Sequence, residues 1–129
     1  MKKKLLSLIL LVMFTCLAMH SADFYKEYMQ FKGKLGNETI AGAIAMTKDS
    51  TFGVYLYYNS STYERYNLKA TSCKSVGKGK YQISFKVELD GVNKGTWNVT
   101  FNSINRTATG TMKDKNGKSL KIDLHEWKR

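Results

Sequence analysis

Catalysis draws on few residue types, and this chain offers few of them. Between Asp23 and Arg129 there is one histidine, His125, and one cysteine, Cys73. A histidine base needs a group that orients it and a nucleophile beside it. Asp123 precedes His125 by two residues, on the same face of the alternating run SLKIDLHEW, and could orient the ring. The same spacing is what a cross-strand charge network on a sheet surface uses, and we read the pair that way. Cys73 stands in no local signature of a cysteine enzyme. Glu88 and Asp90 lie close in sequence but are a carboxylate pair only if the fold brings them together. No glycine-rich phosphate loop and no run of metal ligands is present. The expectation is a non-catalytic protein with no cofactor and no metal.

Aromatic residues are the other candidates. The stretch KDSTFGVYLYYNSSTYERY, residues 48–66, holds Tyr55, Tyr57, Tyr58, Tyr63 and Tyr66. Within it Phe52, Val54, Leu56 and Tyr58 fall on one parity and Tyr55 and Tyr57 on the other. The first set is the more aliphatic, so it is expected to face the core. Tyr55 and Tyr57 then point outward, beside Ala41, Ala43 and Ala45 of the preceding run, and Tyr63 lies in the next turn. Tyr55, Tyr57 and Tyr63 thus form a candidate contact surface for a partner or a second copy, although tyrosine is common in strands for reasons of packing alone.

The elements that must carry these residues are strands. Period-two alternation recurs through the chain, most clearly in YQISFKVEL, where Tyr81, Ile83, Phe85, Val87 and Leu89 share a face. GTWNVTF places Trp97, Val99 and Phe101 inward, and SLKIDLHEW does the same for Leu120, Ile122 and Leu124. Asp90-Gly91, Asn116-Gly117 and similar pairs fall where the chain must reverse. There is no proline, so every strand can pair on both sides. Strands are expected near 28–35, 39–47, 52–58, 64–73, 80–89, 94–102, 107–113 and 119–127. The expected core is Phe31, Ile44, Leu56, Leu68, Ile83, Phe85, Val87, Trp97, Val99, Ile122 and Leu124. Short links between evenly spaced strands imply an all-β, eight-stranded antiparallel up-and-down meander, closed or nearly closed into a barrel.

The N-terminus reads differently. Lys2, Lys3 and Lys4 precede the uncharged run LLSLILLVMFTCLAM, with small residues before Asp23. Residues 1–22 have the layout of a secretory signal, too short and wrongly flanked for a membrane span, and residues 23–129 form one domain. Export implies a periplasmic or extracellular location. Cys16 lacks the small residues of a lipid-attachment motif before it, so lipid anchoring is not expected. Loss of residues 1–22 takes the formal charge from +11 to +8 and leaves Cys73 without an internal disulfide partner.

That positive charge could serve an acidic polymer such as nucleic acid or an anionic glycan. In a meander, however, Lys74, Lys78 and Lys80 flank one turn and Lys113, Lys115 and Lys118 flank another at the opposite end. The lysines therefore read as a solvated surface and not as one polyanion groove. Four Asn-x-Ser/Thr sequons, at Asn37, Asn59, Asn98 and Asn105, fall in turns or on an outward face.

The run of eight strands, with FGVYLYY in the third and GTMKDKNGKSLKIDL closing the chain, resembles the calycin architecture of avidins and lipocalins. The Gly-x-Trp that opens the lipocalin pattern is absent, since the first strand reads YMQFKGKLG. What the resemblance implies is a shape: a small exported barrel that binds a protein, glycan or small molecule through its end loops or outer wall. The alternative is a proteinaceous inhibitor of a host or competitor enzyme, and a small enzyme comes third.

Overall fold

The computed structural model describes residues 25–128, so the expected signal segment lies outside the described residues. The chain forms eight strands: β1 (Tyr25–Leu35), β2 (Glu38–Thr47), β3 (Thr51–Tyr57), β4 (Tyr66–Gly77), β5 (Lys80–Leu89), β6 (Val92–Asn102), β7 (Thr107–Asp114) and β8 (Ser119–Glu126). Each pairs antiparallel with the next, and β8 pairs with β1, from Leu35 opposite Ile122 to Phe31 opposite Glu126. The result is a closed up-and-down barrel, which leaves the sheet no first or last strand. No helix occurs among the described residues, and so none is long and apolar enough to cross a membrane.

Turn chemistry explains the reversals. Asp90 and Gly91 both take positive φ, 52° and 80°, the backbone that a two-residue hairpin between right-twisting strands requires. The turns after β1, β3, β5 and β7 share one end of the barrel, and those after β2, β4 and β6 share the other. The lysines around the β4–β5 turn and those around the β7–β8 turn therefore lie at opposite ends.

The barrel interior is a filled core. Met29, Phe31, Ile40, Ile44, Tyr55, Ile83, Phe85, Val87, Trp97, Phe101, Ile122 and Leu124 are among its fully buried members. Gly42 makes room for large rings there: it is opposite Tyr55 on β3 and opposite Phe31 on β1. A Cβ on Gly42 would run into the Val54 carbonyl and come within 2.9 Å of the Phe31 ring.

The faces of β3 are exchanged relative to the sequence expectation. Tyr55 and Tyr57 turn to the interior, and Phe52, Val54, Leu56 and Tyr58, expected to face the core, pack on the outside. Strand β3 is apolar on both faces, so alternation alone cannot orient it, and a one-residue change of phase exchanges its two sets. Leu56 and Val54 are buried nonetheless, in a second cluster on the outer wall with Ala41, Ala43, Ala45 and Tyr58. Register makes Leu56 the partner of Ala41, and Val54 the partner of Ala43. Tyr28, Phe52 and Trp127 pack against this cluster, and the Lys32 ammonium lies 4.1 Å from the Tyr58 ring centroid and 5.5 Å from that of Trp127. Leu89 also departs from expectation. It is only half-buried, and lies at the strand end beyond a register irregularity in which Lys94 gives β6 one extra residue opposite Val87 and Glu88.

Candidate functional site

One end of the barrel carries a shallow cleft of about 450 Å³ lined by Glu38, Thr39, Tyr57, Asn59 and Ser60. Glu38 and Thr39 open β2, Tyr57 closes β3, and Asn59 and Ser60 begin the loop 58–65 that leads to β4. That loop is held by its own hydroxyls: Ser60 Oγ and Thr62 Oγ1 are 2.8 Å apart, and Thr62 Oγ1 donates to Glu64 Oε1 at 3.1 Å. Tyr58 N donates to the Thr39 carbonyl at 2.9 Å, tying the loop to β2.

Beneath the cleft lies a stack of rings. Tyr55 lies between Tyr66, at 5.0 Å and 11°, and Trp97, at 4.9 Å and 25°. Tyr57 meets Tyr55 and Tyr66 edge-on, at 6.0 Å and 5.5 Å. Offset stacks and edge contacts of this kind are the favoured geometries of aromatic pairs. Tyr55 and Trp97 are fully buried, whereas Tyr57 and Tyr66 are half-buried and carry the stack toward the mouth.

Polarity is unevenly satisfied here. The Tyr55 hydroxyl and Trp97 Nε1 are buried with no hydrogen-bond partner among the described residues. Burial is the main cause that pushes the Tyr55 hydroxyl far above its ordinary pKa, with the neighbouring Tyr57 and Tyr66 adding to it. The Trp97 N–H lowers that pKa by a smaller amount and the Tyr57 hydroxyl raises it, though neither aligns as a hydrogen bond. Tyr57 is likewise raised, first by burial, then by Tyr66 and Glu38; Tyr66 is raised by burial and by Glu64. At neutral pH all three are therefore neutral hydroxyls.

The expected contact surface is thus dispersed. Tyr55 is removed from the surface, because its ring fills the space over Gly42 and stacks on Trp97. Tyr57 lies half-buried at the mouth instead of against the outer wall. Tyr63 sits in the loop with a positive φ of 53° and is not among the described ring contacts of the cluster. The sequence signal that could have placed Tyr55 is the glycine phase: Gly53 shares its parity in β3 and Gly42 faces it from β2.

The remaining candidates are surface residues. His125 and Asp123 are exposed on the outer wall, opposite Lys32 and Lys34 of β1 in register. Glu88 accepts salt bridges from Lys69 at 3.0 Å and Lys86 at 3.3 Å, and hydrogen bonding from these two lysines, Lys69 foremost, holds its carboxyl below the usual range. Asp90 is in the turn beyond it, so the two acids have separate surroundings. Cys73 is exposed and free, and the four sequon asparagines are exposed as well. No group of three or more histidine, cysteine or acidic side chains is placed to hold a metal among the described residues.

Fold and site together define a closed eight-stranded β-barrel with a polar cleft over an aromatic stack at one end. Comparison with protein families, with curated proteins and with solved structures finds no match to the chain.

Proposed function

We propose that the protein is an exported, non-catalytic binding protein whose site is the cleft at the β1–β2 and β3–β4 end of the barrel. The calycin-like assignment belongs to the same proposal and is supported by eight-strand closure. The observation that carries the reading is the composition of the cleft. One half-buried ring, Tyr57, stands among a carboxylate, two hydroxyls and a carboxamide. An aromatic face flanked by short polar groups suits a small neutral ligand with one apolar face and several hydroxyls, as a sugar ring has. The one acid lining the cleft, Glu38, has no histidine or cysteine beside it there, which favours binding over turnover.

Isothermal titration of the protein with a panel of mono- and oligosaccharides tests the proposal. A binder should lose affinity by about tenfold or more on Tyr57→Ala, titrated well below the melting temperature of that variant, which the lost ring contacts lower. Sugars that bind the Tyr57→Ala variant as well as the parent would remove the cleft from consideration. A panel with no binder at all would remove the sugar class.

A further inference from the structure

Barrel closure protects most backbone edges but not all of them. Strand β4 is longer than its neighbour β3, and the two pair at four positions, ending with Lys69 opposite Phe52. On its other side β4 stays paired with β5 from Asn67 opposite Glu88 to Gly77 opposite Lys80. Residues 70–77 therefore run on past the last pairing with β3 as the outermost strand of a ladder that continues through β5 into β6. The backbone edge of this stretch that faces away from β5 has no strand partner among the described residues. Every residue from Thr71 to Lys78 is exposed. Irregularities at Thr71 and Val76 bracket a regular run, Ser72–Ser75.

An open row of N–H and C=O groups is a template for another strand. The charge around it selects which strand. Residues 69–86 contain Lys69, Lys74, Lys78, Lys80 and Lys86 and no acid. Glu88 engages Lys69 and Lys86, while Lys74, Lys78 and Lys80 make no salt bridge among the described residues. A second copy would bring the same lysines against these and be repelled. A neutral strand would gain nothing from them. An acidic extended segment gains both the backbone bonds and the charge.

We propose that the free edge of β4, centred on Ser72–Ser75, takes up an extended acidic segment of a partner protein as an added strand. Lys74 shares the outer face with Gln82 and Lys86 of β5, so acids at alternate positions of the added strand meet it there. The intervening residues lie beside Cys73 and Ser75, on the face that continues toward Tyr81 and Ile83. The same lysines that keep the edge from pairing with itself thus admit a partner of opposite sign. This site is independent of the cleft at the other end.

The experiment uses a fluorescent peptide of about seven residues, alternating glutamate with valine and threonine, and reads anisotropy against the purified protein. Binding is expected to be lost when alternate peptide amides are N-methylated in one phase and kept when the other phase is methylated, since a strand presents only every second amide to its neighbour. The double variant Lys74→Glu, Lys78→Glu should bind about tenfold more weakly or worse, with unchanged circular dichroism. The double variant Lys113→Glu, Lys115→Glu at the opposite end should bind as the parent does. Equal behaviour of the two methylated peptides would overturn the proposal in favour of plain charge attraction. So would an absence of binding, full displacement of the peptide by heparin at equal charge, or a stable dimer cross-linked through Cys73 that excludes the peptide.

Discussion

The rings of Tyr55 and Trp97 stack at 4.9 Å inside the barrel, and each carries a buried polar atom with no hydrogen-bond partner among the described residues. An orphaned hydroxyl costs its desolvation, about 1–3 kcal/mol, whereas the ring itself contributes packing. Tyr55→Phe should therefore leave stability unchanged or raise it by about 1 kcal/mol. Tyr55→Ala should lose about 3–5 kcal/mol, because a large cavity opens against Trp97. Urea unfolding of the two variants separates these contributions. A Tyr55→Phe variant that loses as much as Tyr55→Ala would mean that the hydroxyl, and not the ring, holds the stack.

Gly42 leaves room for that ring. A methyl group there meets the Val54 carbonyl and the Phe31 ring, and backbone cannot yield as a flexible side chain can. Gly42→Ala is expected to destabilise the barrel by about 1–3 kcal/mol or more. Asn116→Ala, in the exposed β7–β8 turn, serves as the comparison and should cost far less. Thermal melts read both.

Arg106 clasps the closing seam of the barrel. Its guanidinium donates to Glu126 Oε2 through Nε at 3.2 Å and through Nη2 at 3.0 Å, and Nη2 also donates to the Tyr28 carbonyl at 2.5 Å. One side chain from the β6–β7 turn thereby links β8 to β1, where the ladder between them covers only five pairs. Arg106→Ala should cost about 1.5–3 kcal/mol, the range for hydrogen bonds to charged groups, and Arg106→Lys should recover only part because it cannot fork. Hydrogen exchange at the amides of residues 122–126 should accelerate in the alanine variant. Unchanged exchange there would show that the ladder closes the barrel without the clasp.

Alkaline pH should act through the aromatic stack. An unfolded tyrosine ionises near 10.0, whereas Tyr55 in the fold holds its proton above that, as Tyr57 and Tyr66 do to a smaller extent. Above pH about 10 the unfolded chain binds fewer protons than the folded one, so stability falls as pH rises. The contribution is complete below that pH and is lost on the way up to the folded values. Phenolate absorbance should therefore include a late step coincident with loss of near-ultraviolet circular dichroism. Tyr55→Phe should shift that step to higher pH, and an unshifted step would place its cause elsewhere.

Much of this architecture is legible in the chain itself. Alternation in YQISFKVEL, GTWNVTF and SLKIDLHEW sets which side chains enter the core, because successive residues of a strand face opposite ways. Asp90-Gly91 and the other turn pairs set the count of strands, and the parity of turns along a meander separates the two lysine groups. The phase of β3 is not legible in this way. Phe52, Val54, Leu56 and Tyr58 on one face and Tyr55 and Tyr57 on the other are both apolar enough for a core, so a period of two has nothing to choose between. Only closure of the barrel decides it: Gly42 on the facing strand opens a space the size of a ring, Trp97 from across the interior supplies the surface that the ring covers, and Ala41 and Ala43 accept Leu56 and Val54 outside. The far half of β4 is illegible for the opposite reason. Exposed on both faces, Thr71 to Gly77 carries no alternation, and it is a strand because β5 pairs with it. Local pattern determines which residues are buried wherever one face meets water. Where both faces are covered, or neither is, the outcome rests on which strand lies alongside, and that is a property of the closed barrel.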